Sequence, residues 1–231
     1  MNPNLTDIII VLDRSSSMEA IRKETVTGFN TFVATQKNVT GEADLTLVAF
    51  AHEYQEIYRA RRVHQVSDLT PESYRPNGWT ALLGAIGLTI ERTGERLKAT
   101  PNNERPSKVI FVVITDGEEN SSHKYLWSRP YDGPKVKGMI EHQTNVYKWE
   151  FVFIGANQDA FLTAHNLGVS MDNALQYTAN PIGTEALYRC VADNAASYRV
   201  GTSASMAFTN EDRRKQQEAI KKDAATTTTN P

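Results

Sequence analysis

The chain has 231 residues, 40% of them hydrophobic, with 25 Lys and Arg against 27 Asp and Glu and a formal charge of −2. That length buries a sizeable core and suits one α/β domain, while a charge near zero argues against a polybasic nucleic-acid binder or an electrostatic membrane clamp. The single cysteine, Cys190, excludes an internal disulfide framework and a cysteine-rich zinc site. Met1–Asp7 has no basic region, and the apolar run Ile8–Leu12 is too short for a signal peptide or a membrane span, so the expected setting is a reducing cytoplasm. There the Asn-x-Ser/Thr triplets at Asn4, Asn38 and Asn120 are chance matches.

In chain order, Asp7–Leu12 (DIIIVL) is a continuous apolar run of the kind found in a central strand buried on both faces. A polar turn leads to a helix in which Ile21, Thr25, Gly28, Phe29, Phe32 and Val33 form one stripe. Leu45–Phe50 reads as a second strand and Glu56–Val66 as an edge strand antiparallel to its neighbour. After a long loop with Pro71 and Pro76, a helix over Ala81–Lys98 carries Leu82, Ile86, Ile90, Thr93 and Leu97 on one side. Val109–Ile114 is the most apolar run, followed by a polar loop, Gly117–Pro134, that contains Trp127 and Tyr131. A helix over Val136–Tyr147, a strand at Phe151–Ile154, a short helix near Gln158–Asn166 and a weak strand at Leu175–Tyr177 follow. The next helix opens at Pro181, with Ile182, Ala186, Cys190, Val191 and Tyr198 expected on its inner face. Beyond Gly201, Glu211–Asp223 mixes both charge signs around Ile220 and reads as a solvated helix or disorder, with a frayed Thr226–Thr229 end. The expected division is a domain over 1–200 and a polar tail over 201–231. Alternating strands and helices predict a doubly wound, Rossmann-like, mostly parallel sheet with helices on both faces.

Most catalytic signatures are missing: no G-x-S-x-G, no G-x-x-x-x-G-K-[ST], no G-x-G-x-x-G and no H-E-x-x-H, and the five histidines show no metal-ligand spacing. What is present lies where the strands end, the side on which such sheets form their crevice. The first strand runs into Asp13-Arg14-Ser15-Ser16-Ser17, the loop before the Ala81 helix reads Gly78-Trp79-Thr80, and the fourth strand ends in Thr115-Asp116-Gly117. Each piece alone is commonplace, a helix cap at Ser15, Ser17 or Thr80 and a turn at Asp116-Gly117. Together, Asp13 and Asp116 with the hydroxyls of Ser15, Ser17 and Thr80 make an all-oxygen shell. Such a shell selects a hard divalent cation, Mg²⁺ before zinc or copper.

This D-x-S-x-S…T…D pattern resembles the metal-ion-dependent adhesion site of von Willebrand factor A (vWA) domains. The resemblance covers roughly Asp7–Tyr198 and looks closest to stand-alone intracellular vWA proteins of bacteria and phages, through DIIIVL, TLVAF and FVFIGANQDA. Gly is common in the family where this chain has Ser16. The resemblance implies direct binding of the ion by Ser15 and Ser17, binding by Thr80 directly or through water, and action of Asp13 and Asp116 largely through bound waters. It further implies an open position for an Asp or Glu of a protein partner, with Mn²⁺ and Ca²⁺ as alternatives to Mg²⁺; the near-zero charge leaves neither nucleic acid nor membrane as the expected partner. Arg14, Trp79, Glu118, Trp127 and Tyr131 are candidates for the rim of the partner surface. No catalytic residue is assigned. The alternatives are a metal-dependent hydrolase, with Glu118, Glu119 or His123 as the nearby candidate bases, and a metal-free scaffold.

Overall fold

The computed structural model describes residues 1–156 and 160–227, with backbone alone over 219–227. Six strands form one sheet: β1 (Asn2–Asp13), β2 (Glu42–Phe50), β3 (Tyr54–Arg62), β4 (Pro106–Thr115), β5 (Glu150–Ala156) and β6 (Ala174–Tyr177). Their order is β3-β2-β1-β4-β5-β6, with every pairing parallel except β2 with β3. The helices are α1 (Arg22–Lys37), α2 (Leu82–Ala99), α3 (Gly133–Tyr147), α4 (Ala160–Asn166), α5 (Pro181–Val200) and α6 (Asn210–Thr227).

The two-residue period of the strands sorts the core into two layers. Ile8, Ile10 and Leu12 of β1, with Ile110, Val112 and Ile114 of β4, join Phe29 and Phe32 of α1 and Leu187 and Val191 of α5. Ile9 and Val11, with Phe111 and Val113, join Ile86 and Ile90 of α2 and Val136 and Ile140 of α3. A strand buried on both faces has no polar alternation to show, which is why DIIIVL and VIFVVI are continuous apolar runs. The α1 stripe is buried as its spacing predicts, and Gly28 is part of the fit: a Cβ there would lie 2.2 Å from Cδ2 of the fully buried Tyr188.

Three expectations need correction. Strand β1 starts at Asn2, five residues early, because polar residues at a strand end still pair: Leu5 aligns with Glu42 and Asn2 with Pro106. Ile182 is exposed; α5 turns Leu187, Tyr188, Val191 and Ala195 inward instead, and Cys190 is buried as expected. Among the described residues, part of the segment after Gly201 is docked, and its charged stretch forms the helix α6. Met206 and Phe208 are buried in the first core layer, and Arg213 of α6 donates to the Ala174 carbonyl of β6 at 2.8 Å while its guanidinium covers the Phe161 ring. The short helix expected from Gln158 begins, within the described residues, at Ala160. No helix among the described residues is long and apolar enough to cross a membrane.

Candidate metal centre

The sheet order makes β1 and β4 neighbours, so Asp13 and the Thr115-Asp116 pair meet where both strands stop. Asp13 is fully buried. One of its carboxylate oxygens accepts the Ser15 N–H at 2.7 Å and the other the Thr115 hydroxyl at 2.6 Å. Its backbone carbonyl accepts the Tyr74 hydroxyl at 2.5 Å, which pins the strand end from a third direction. The Ser15 and Ser17 hydroxyl oxygens are 3.1 Å apart, and Ser17 donates to Asp116 Oδ1 at 2.7 Å. Thr80 reaches the same spot from another loop: a Cβ placed on Gly117 would lie 3.2 Å from Thr80 Oγ1 and 3.9 Å from Ser17 Oγ. A glycine after Asp116 therefore keeps the space between these hydroxyls clear.

The commonplace reading of the hydroxyls does not hold. Ser15 stands at the start of the 3-10 turn Ser16–Ile21 and makes no side-chain capping bond. Helix α2 has Ala81, not Thr80, at its N-cap position. Its first turn is satisfied from elsewhere. Glu119 accepts the Leu83 N–H at 2.8 Å, and Ser122 Oγ accepts the Gly84 N–H at 3.0 Å. Glu119 also accepts the N–H groups of Ser121 (2.8 Å) and Ser122 (2.6 Å) and the Ser122 hydroxyl (2.6 Å). With both oxygens so engaged it is a structural cap and not a free base. Replacing Glu119 with Ala leaves three N–H groups without their acceptor and is expected to destabilise the fold by about 1–3 kcal/mol, read as a lower midpoint in urea unfolding. Asn120 completes the link: its side chain accepts the Thr80 N–H at 2.9 Å, and its own N–H donates to the Thr80 carbonyl at 3.0 Å. Asn120 escaped the sequence reading and Glu119 entered it only as a candidate base, because nothing local marks a cap that acts across 36 and 40 residues.

The electrostatics favour a cation. Burial pushes the Asp13 carboxyl up to about 7, with the nearby Asp116 charge adding to the rise and the Thr115 and Ser15 hydrogen bonds opposing it. Asp116 is also raised by burial, against the Ser17 hydrogen bond. Two carboxyls that resist ionisation beside three hydroxyls form a donor set of oxygen alone, which fits a hard divalent ion that retains water. No group of three or more His, Cys, Asp or Glu among the described residues is placed to hold a metal elsewhere.

The rim candidates divide. Trp79 and Glu118 are exposed. Arg14 is buried and is drawn away to Glu53 of the β2–β3 turn (Nη2 to Oε2, 2.8 Å). Trp127 is half-buried; its indole N–H donates to the His52 carbonyl at 3.1 Å and its ring packs on Tyr54. Tyr131 is buried against Gly87 of α2 and donates to Glu91 at 2.5 Å, so it belongs to the α2–α3 layer and not to the rim.

Residues 7–145 match the von Willebrand factor type A domain family. The chain belongs to that family. Solved structures agree in fold. A structure of proximal thread matrix protein 1 from the mussel byssus, with a zinc-occupied MIDAS motif, is 20% identical, with a TM-score of 0.51 over 83% of this chain and 46% of that one. The pilus adhesin SpaC from Lactobacillus rhamnosus GG, in its open conformation, gives 17% identity and a TM-score of 0.59 over 85% of this chain and 30% of its own. The vWF domain of the type V pili tip protein Mfa5 from Porphyromonas gingivalis gives 13% and 0.54, over 86% and 96%. This vWA domain spans just under half the length of the first structures it matches. No curated protein sequence matches it.

Proposed function

We propose that this vWA domain captures a protein partner through a divalent cation, Mg²⁺ before Mn²⁺ or Ca²⁺, held by Asp13, Ser15, Ser17, Thr80 and Asp116. The carrying observation is that the Ser15 and Ser17 hydroxyls gather against Asp116, over the buried Asp13, without being used as helix caps. Ser15, Ser17 and Thr80 would offer neutral oxygens to the ion. Asp13 would act from behind, its two hydrogen bonds fixing its orientation, and Asp116 would orient Ser17. Bound there, Mg²⁺ would supply a hard electrophilic centre for a carboxylate of a partner Asp or Glu.

Binding in preference to catalysis is supported by the engaged oxygens of Glu119 and by the pilus adhesin and the pilus tip protein among the structural neighbours. We take residues 1–200 as the binding domain and 201–231 as a polar tail that includes α6, in an intracellular protein of the bacterial or phage type, a reading that rests on the lone buried cysteine and on the resemblance in DIIIVL and TLVAF. Titration of MgCl₂ into chelator-treated protein should show one site by calorimetry and a rise in Tm that EDTA reverses. No binding heat and no shift in Tm with Mg²⁺, Mn²⁺ or Ca²⁺ would overturn the proposal.

A further inference from the structure

Trp79 is 58% exposed, beside a site whose other components are mostly buried. Its exposure is not the result of a slack loop. The flanking backbone is tied down by Asn77 N–H to the Arg14 carbonyl (2.7 Å), Gly78 N–H to Ser16 Oγ (2.9 Å), Ser16 N–H to the Gly78 carbonyl (3.1 Å) and Thr80 N–H to Asn120 (2.9 Å). Gly78 itself adopts φ +88°, and a Cβ there would lie 1.8 Å from His52 Nδ1, so only glycine lets the loop pass and hold the indole outward. The other two tryptophans contrast with it: Trp149 is buried and Trp127 is half-buried and hydrogen-bonded.

The ammonium group of Lys124 stands 4.8 Å from the centroid of the Trp79 ring, within cation–π range. Lys124 is exposed and enters no ion pair among the described residues. The two side chains come from the loops that carry Thr80 and Asp116, and Trp79 lines the same open hollow as Ser15, Ser17 and Thr80. An apolar ring and an uncompensated cation therefore stand beside the position a partner carboxylate would occupy.

We propose that Trp79 and Lys124 form a selectivity contact for the partner, favouring an acidic segment in which the metal-directed carboxylate is accompanied by one large apolar side chain and a second carboxylate. The apolar side chain covers the indole and the second carboxylate meets the Lys124 ammonium. This rests on the metal-bridged reading above. An exposed tryptophan held rigidly next to a polar anchor has the character of an interface hot spot, and a nearby unpaired lysine supplies charge complementarity.

The test uses the full chain and four labelled synthetic peptides that share one central Glu. Their flanking positions are Leu with Asp, Leu with Asn, Gly with Asp, or Gly with Asn, and binding is followed by fluorescence anisotropy in MgCl₂ and in EDTA. The Leu–Asp peptide should bind at least about 10-fold more tightly than the Gly–Asn peptide. Trp79→Ala should erase the Leu preference and Lys124→Gln the Asp preference, with the residual binding still lost in EDTA. Val146→Ala, at an exposed position on α3, should keep both preferences. Mg²⁺-dependent binding with no preference among the four peptides, or with preferences that survive both variants, overturns this inference and leaves the metal bridge standing. Mg²⁺ uptake without capture of any peptide also overturns it. Failure of the protein to take up a cation at all removes the bridge and the inference together.

Discussion

Replacing Asp13 with asparagine is expected to weaken Mg²⁺ binding by about 100-fold and, in the absence of metal, to make the protein more stable. The first effect follows from removing the buried charge behind the hydroxyls; loss of an outer partner of a metal site typically lowers affinity 10- to 100-fold, and here a full negative charge goes with it. The second follows from the pKa. The Asp13 carboxyl moves from its ordinary 3.8 to about 7 on folding, so the fold disfavours its ionised form. This group's contribution is fully favourable below about pH 4 and is lost as pH rises through 7, a change of roughly 4 kcal/mol. Asparagine fits the same hydrogen bonds: its oxygen accepts the Ser15 N–H, its amide donates to Thr115 Oγ1, and that hydroxyl turns to the Gly117 carbonyl 2.9 Å away. Urea unfolding of metal-free protein should therefore show the native chain losing more stability between pH 4 and 7 than Asp13→Asn, in which the raised Asp116 carboxyl still contributes a smaller loss. In the native chain, Mg²⁺ uptake below pH 7 should release a proton, seen in calorimetry as a binding heat that changes with the buffer's ionisation enthalpy. Equal Mg²⁺ affinity in the two proteins would remove Asp13 from the site.

The second large effect lies at the far end of the chain. Phe208→Ala is expected to lower stability by about 3–5 kcal/mol, because Phe208 is buried in the layer that includes α1 and α5 and its N–H donates to the Asp172 carbonyl at 2.8 Å. A urea midpoint close to that of the native chain would show that the segment after Gly201 contributes nothing to the fold. The expected loss is a large fraction of the whole stability of an ordinary domain, so Met206→Ala added to Phe208→Ala should leave much of the protein unfolded.

Much of the architecture was legible because the pattern and the physics coincide. The runs DIIIVL and VIFVVI are apolar on both faces because the central strands are covered on both faces, and the stripe from Ile21 to Val33 is the buried side of α1. The meeting of Asp13, Ser15 and Ser17 with Asp116 at neighbouring strand ends followed from the order of elements, while Thr80 arrives on the loop before α2. Legibility failed where burial depends on partners far along the chain. Tyr131 and Trp127 sit in a polar loop and look like surface aromatics, yet Gly87 and Tyr54 receive them. Arg14 adjoins the site in sequence, but Glu53 on the β2–β3 turn draws its guanidinium aside. Between Gly201 and the charged helix, Met206 and Phe208 are the large apolar residues that dock, and two are too few to reveal a period.

The paired hydrogen bonds between Thr80 and Asn120, with Glu119 seated on the first turn of α2, join two connections that are distant in sequence into one rigid frame. Ordering a free loop residue at the moment of capture takes roughly 1–2 kcal/mol of entropy. In this molecule that ordering is completed during folding, by residues that need touch neither ion nor partner. An incoming acidic side chain then meets a preorganised surface, and differences among partners would be expressed in how quickly they leave rather than in how long the surface takes to assemble.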